Sequence, residues 1–324
     1  MTSQTRTEPP STNHPLVGDD RPESSRRKGT LARRGRSIGW ALLSPAMILL
    51  LAMTVGPAIF LIYSSLHNIQ LFGGESRFVG LRNFQELLTD AGFHHSLLVT
   101  LAFVAIAVAI ELVIGVALAM ALAPKTRANG VAATLLLLPF AVTPVVSAMV
   151  FKQLIDPNYG WVNYYLSKVG LLPQNFDWLA NPSTAWIALV ALDVWQWTPF
   201  VALIILAGRQ TLPQECYEAA SVDGSGPWQT FRYITLPMLT PFLAIAVVLR
   251  SIQAFKTFDS FQVLTGGGPG DSTEIINLGI YRTALQSFQI GAASAVGLVF
   301  LLILSALVPL LLRVVGRNAE PEKG

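Results

Sequence analysis

Apolar residues fill six long stretches of the chain, near positions 38–66, 96–122, 131–153, 184–207, 237–262 and 288–314, and polar residues collect between them. Each stretch reaches the roughly 20 residues a helix needs to cross the hydrocarbon core of a bilayer. The pattern predicts an all-α membrane protein with six transmembrane helices. Prolines fall inside or beside most of the runs, at Pro45, Pro57, Pro139, Pro144, Pro199, Pro241 and Pro309. Membrane helices tolerate proline because neighbouring groups re-satisfy the carbonyls it frees.

Composition supports this reading. Of the 324 residues 52% are hydrophobic and 13% charged, with mean hydropathy +0.52, whereas a soluble domain carries about 25% charged residues. Residues 1–37 are polar and basic and predict a disordered cytoplasmic tail. The apolar run after them is too long for a signal-peptide core. Residues 38–314 then form the transmembrane domain, and 315–324 a second cytoplasmic tail. With the N-terminus inside, the inner segments hold fifteen Lys and Arg: eight in the first tail, then Lys125, Arg127, Arg209, Arg232, Arg313, Arg317 and Lys323. The outer segments hold four, Arg77, Arg82, Lys168 and Arg282. That asymmetry puts both termini, and the loop at 209–236, in the cytoplasm. The net charge of +3 reflects topology. The basic residues form no stripe interleaved with aromatics, so no nucleic-acid partner is expected.

The loop at 209–236 is the most informative segment. From Pro213 a helical register puts Leu212, Cys216, Ala219 and Ala220 on one face, with Glu215, Glu218 and Ser221 on the other. The register breaks at "DGSGP", where Gly224 is suited to a positive φ and Pro227 to a new helix start. Trp228, Phe231 and Ile234 form a second apolar stripe, and Pro237 and Pro241 mark entry into the fifth span. Two short helices with a tight turn are expected. The segments predicted outside are also patterned. "DPNYGWVNYYLSKVGLLP" (156–173) is rich in aromatics, which suits a belt at the membrane interface, and "LTGGGPGDSTE" (264–274) is a glycine turn. There Asp271 and Glu274 are placed to cap an amphipathic helix over 275–286.

The stretch "EAASVDGSGPWQTFRYITLP" resembles the EAA loop of ABC importer permeases, the binding-protein-dependent inner-membrane component family. The matching residues are Glu218, Ala219, Ala220, Asp223, Gly224, Phe231, Ile234, Leu236 and Pro237, with Ser225 where many members have Ala. The resemblance runs from about residue 38 to 314. "FVGLRNFQELL" (78–88), "DVWQWTPF" (193–200) and "FKTFDSFQVLTGGGPGDSTE" (255–274) are similar to the carbohydrate-importer branch, the first permease subunit of maltose, glycerol-phosphate, trehalose or polyol systems. The resemblance implies a type I ABC importer permease fold in a bacterial inner membrane, with the loop as a coupling helix seated in an ATPase. It also implies the partners: a second permease, two ATP-binding cassette subunits and an extracytoplasmic solute-binding protein, all within membrane lipid.

Other chemistry is sparse. The chain has no G-x-x-x-x-G-K-[ST], so ATP hydrolysis is assigned to a partner and no enzymatic activity to this chain. One cysteine, Cys216, makes neither a disulfide nor a structural zinc site, and no cofactor or metal is expected. Polar residues inside the spans are costly and point to function. Glu111 lies in the second span, and Arg250, Gln253, Lys256 and Ser260 share a face of the fifth. Asp193, Trp195, Gln196, Gln253, Phe255, Lys256, Phe258 and Asp259 are candidates for a substrate pathway, with aromatics to stack on sugar rings and Lys256 to pair with Asp259. The competing reading makes these residues structural contacts between helices. A rival function, a secondary transporter or channel for a small polar solute, rests on Glu111 and Asp193 as ion-coupling groups.

Overall fold

The computed structural model describes residues 24–70, 72 and 76–317. Among the described residues its regular elements are helices, one short antiparallel pair, β1 (His67–Asn68) with β2 (Arg77–Phe78), and an antiparallel bridge between Gln70 and Gln289. The described residues divide into two units, one ending at Ala58 and the other beginning at Ile59. Helix α1 covers Ser24–Ser65. The basic run at 24–37 is therefore helical and not part of a disordered tail, consistent with its Arg, Lys, Leu and Ala content. Residues 1–23 and 318–324, most of the two expected tails, lie outside the described residues.

The larger unit continues with α2 (Arg82–Thr89), α3 (Ala91–Leu122), α4 (Arg127–Leu136), α5 (Leu138–Ala141), α6 (Pro144–Leu154) and α7 (Trp161–Lys168). Then come α8 (Pro182–Thr211), α9 (Gln214–Val222), α10 (Pro227–Thr230), α11 (Leu236–Phe255), α12 (Asp259–Leu264), α13 (Ile276–Tyr281) and α14 (Ile290–Arg317). Five helical segments among the described residues are long and apolar enough to cross a membrane: Leu42–Ser65, α3, α8, Pro227–Phe255 and Ile290–Leu307. The pair Arg127–Ala141 and Pro144–Leu154 makes a sixth if counted as one span bent by 93°.

That bend departs from the unbroken span expected over 131–153. A residue before proline is pushed out of the helical region, and Thr143, before Pro144, is extended (φ −66°, ψ 142°). The freed Val142 carbonyl accepts a hydrogen bond from Gln196 Nε2 on α8 at 2.8 Å. A second departure lies at Pro237. The expected separate helix and span run together as one helical rod from Pro227 to Phe255. Proline lacks an N–H and crowds the carbonyl four residues back. Here a π-helical turn, Phe231–Thr235, precedes it and widens the backbone. The rod stops at Phe255, short of the expected 262, and Asn277 Nδ2 donates to the carbonyls of Phe255 (2.9 Å) and Thr257 (2.8 Å) at that end.

Helices α3, α8 and α11 pack mutually and form the centre of the bundle, with α14 against α11. The core has two apolar clusters. One joins Phe103, Val108, Leu189, Leu192, Ala254, Phe255, Phe261 and Ile276. The other joins Ala119, Val201, Ile205, Leu212, Leu239 and Ala246. Close approach depends on two glycines. A Cβ on Gly115 of α3 would lie 2.8 Å from Val201 Cγ1, and one on Gly208 of α8 would lie 2.3 Å from the Phe242 ring. Overpacking a filled core costs about 1–3 kcal/mol. Gly208→Leu is expected to lower the unfolding temperature in detergent, whereas Gly130→Ala, where nothing lies within 4 Å of a Cβ, leaves it unchanged or raises it. Equal temperatures for Gly208→Leu and the parent chain would show that this approach is not tight.

Candidate functional site

The central polar feature is an ion triad between the two apolar clusters. Arg250 of α11 and Glu111 of α3 are fully buried, and Asp193 of α8 nearly so. Arg250 Nε donates to Glu111 Oε2 at 2.6 Å and Nη2 to Glu111 Oε1 at 2.9 Å, the bidentate fork for which guanidinium is shaped. Nη2 also donates to Asp193 Oδ2. The guanidinium carbon lies 4.9 Å from the Trp197 ring centroid, a cation–π contact. Asp193, Gln196 and Trp197 stand at i, i+3 and i+4 on α8, so one helix face serves Arg250 twice and the broken span once. Trp197 is braced by Phe140 and Phe200.

The sequence-predicted pathway residues divide accordingly. Asp193, Gln196 and Phe255 are closed inside the bundle. Trp195, Gln253, Lys256, Phe258 and Asp259 retain accessible surface. Trp195 packs against Phe151 of α6 with centroids 5.4 Å apart, and Phe258 against Tyr281 at 5.1 Å. Lys256 Nζ reaches Gln253 Oε1 at 3.4 Å and forms no ion pair with Asp259. The end of α11 and the turn after it are tied to α13 by Asn277, which sequence reasoning did not single out. Glu274 does not cap α13. It pairs with Arg282, which also donates to the Gly266 carbonyl.

The second feature is the 209–236 loop. Helix α9 ends in a Schellman motif: Ser225 N–H donates to the Ala220 carbonyl (2.9 Å) and Gly224 N–H to the Ser221 carbonyl (3.2 Å). Gly224 is at φ +74°, as its place in "DGSGP" predicts. Pro227 begins α10, and Gly226 N–H is capped by Gln229 Oε1 at 3.0 Å. Ala220 and Leu212 are buried against the bundle, while Cys216 is half-buried. Ala219, expected on the same face, is exposed with Glu215, Glu218 and Asp223. Val222, Trp228 and Tyr233 are 86%, 72% and 75% exposed, a large apolar area to leave uncovered.

Tyr217 ties α9 to its neighbours. Its hydroxyl donates to Thr235 Oγ1 at 3.1 Å, in the π-helical turn, and its ring lies under the Arg209 guanidinium of α8 at 4.2 Å. Phe231 is half-buried and tilts against Trp228 (5.6 Å), while Pro237 lies just beyond the π-helical turn. The residues from Glu218 to Pro237 thus form one connected unit from an exposed helix to the base of α11.

The model of the binding-protein-dependent transport system inner membrane component family matches residues 92–320. The trehalose/maltose transport system permease protein MalF of Thermococcus litoralis is 37% identical over 276 residues, 85% of this chain and 92% of that protein. The sulfoquinovosyl glycerol transport system permease protein SmoG of Agrobacterium fabrum is 32% identical over 86% of this chain and 91% of its own length. Among solved structures, a bacterial alginate ABC transporter in complex with an alginate pentasaccharide-bound periplasmic protein matches with TM-score 0.78 at 22% identity. The match covers 89% of this chain and 96% of that one and supports the shared fold.

Removing one member of a buried ion pair strands the other charges and costs about 3–5 kcal/mol, whereas replacing the whole set by apolar residues is often neutral. Arg250→Met is therefore expected to lower the unfolding temperature strongly. The triple variant Glu111→Leu, Asp193→Leu, Arg250→Met should recover most of the loss. Thermal unfolding of the purified chain checks this, and an unchanged temperature for Arg250→Met alone would remove the triad's structural role.

Proposed function

Because the chain belongs to the binding-protein-dependent transport system inner membrane component family, and is the permease component of such an ABC importer, we propose that it carries a carbohydrate or polyol inward as one of two paired permeases. Two ATP-binding cassette subunits supply the energy, and an extracytoplasmic protein delivers the solute. The Lys and Arg distribution supports an orientation with both termini and the 209–236 loop in the cytoplasm. The carbohydrate reading is supported by relatives named for trehalose/maltose and sulfoquinovosyl glycerol transport. The accessible aromatics Trp195 and Phe258 suit stacking on a sugar ring, and the accessible Gln253, Lys256 and Asp259 suit its hydroxyls.

The observation that carries the mechanism is the connection from α9 to α11. We assign α9 as the coupling helix, with Glu218, Ala219 and Asp223 on its accessible side and Ala220 anchoring it to the bundle. The Gly224 turn returns the chain into α10, and Phe231 and Pro237 lie on the rod that rises to Arg250. From Pro227 to Arg250 that rod spans about 35 Å at 1.5 Å per residue. Closure of the ATPases displaces α9, Tyr217 and the turn pass the displacement to the rod's base, and the triad passes it to α3 and α8 together. Access to the pathway then alternates between the two faces of the membrane.

The test uses two variants in the assembled transporter. Gly224→Val places a β-branched residue at positive φ, which such residues rarely adopt, and Glu218→Lys reverses a charge on the exposed face. Both are expected to insert in the membrane at normal levels and to lose most ATP-driven uptake. Unchanged uptake in both would sink the assignment of this loop as the coupling element.

A further inference from the structure

The segment between α6 and α8 is built around one side chain. Asn163 of α7 is 4% exposed. Its Nδ2 donates to the carbonyls of Asp156 (3.0 Å) and Phe176 (2.8 Å), and its Oδ1 accepts from Trp178 Nε1 at 2.6 Å. Gly160 is equally constrained. A Cβ there would lie 2.5 Å from the Asp156 carbonyl oxygen and 2.6 Å from that of Leu154, both backbone atoms that cannot yield. Helix α7 is therefore fixed on the end of α6, and the chain beyond it is fixed to α7.

On this framework lies a cleft of about 520 Å³, within the range of small-molecule sites. Tyr159, Trp161, Tyr164 and Tyr165 supply its rings, and Asn158 and Gln174 are among its amides. No Asp, Glu, Lys or Arg is among its lining residues, and Lys168 Nζ lies 4.6 Å from the Tyr164 ring centroid. The four rings are 53–70% exposed, so each holds apolar surface in contact with solvent. The cleft lies at the end of α8 opposite α9, which follows the other end of that helix.

A cleft of aromatic faces and amides suits a particular chemistry. A saccharide ring has a C–H face that lies against an aromatic ring, and an edge of hydroxyls that both donate to and accept from amides. We propose that this cleft is a binding subsite for neutral saccharides, separate from the pathway through the spans, where solute is held on the extracytoplasmic side before it enters. The proposal rests on the carbohydrate-import reading given above.

The test combines binding and transport in the assembled transporter in nanodiscs and proteoliposomes, with maltose and trehalose as probes. Saturation-transfer NMR is expected to show transfer to the C–H protons of at least one sugar in the parent protein. Trp161→Ala with Tyr165→Ala should abolish that transfer and raise the KM of uptake about tenfold, equivalent to about 1.4 kcal/mol, with little change in maximal rate. Trp161→Phe with Tyr165→Phe keeps the ring faces and should retain both. Uptake of either sugar with an unchanged KM in the alanine variant would overturn the cleft assignment and leave the import reading standing. Quenching of Trp161 fluorescence by brominated phospholipid, with no response to either sugar, would overturn it in favour of a membrane anchor. Absence of ATP-driven uptake of any neutral saccharide by the parent transporter would overturn the import reading, and this proposal with it.

Discussion

A guanidinium buried in a membrane-spanning bundle must be met by carboxylates, and that requirement organises this protein. Arg250 lies where water cannot compensate it, so Glu111 and Asp193 are drawn to it from two other helices. The fork to Glu111 fixes α11 against α3, and the bond to Asp193 fixes α11 against α8. Apolar packing alone tolerates sliding, because aliphatic surfaces resemble one another and lipid is as apolar as leucine. Directed ionic hydrogen bonds do not. The triad lies between two apolar clusters to which all three helices contribute, so it sets the axial register of both.

The same arrangement gives the 209–236 loop, the proposed coupling element, its reach. Helix α9 is too short to act on the bundle unless it is joined to something rigid. Tyr217 joins it to α8 and to the π-helical turn, and that turn lets α10 and α11 continue past Pro237 as one rod. The exposed helix, the hinge-like turn and the buried Arg250 therefore lie along one mechanical line. In the proposed cycle the triad makes the three central helices respond together.

How far the sequence reveals this depends on the range of the interaction. Spans follow from local hydropathy, and the shape of α9 and its turn follows from Gly224 and Pro227, each of which constrains its own backbone. The break in the third span was half legible. Pro144 marks a place where the helix can yield, but the acceptor that makes a full break tolerable, Val142, is satisfied by Gln196 from another helix. The continuity of α10 with α11 was not legible, because a proline reads as a boundary and the compensating π turn leaves no composition signal. Nor was the triad, whose partners stand 139 and 57 residues from Arg250. One signal was available. Glu111, Asp193 and Arg250 are charged residues of opposite sign placed deep in apolar runs, and such residues are expected to find one another. Asn163 and Asn277 have no such signature, since an amide that satisfies loop carbonyls resembles any surface amide until the chain folds.

The most direct measurement is solute uptake by the chain reconstituted in proteoliposomes with the second permease and the ATPase subunits proposed as its partners, in the presence and absence of ATP and of the solute-binding protein. The account predicts uptake of a carbohydrate or polyol only when ATP and the binding protein are both supplied. Flux of solute through the chain reconstituted alone, without ATP, would contradict it.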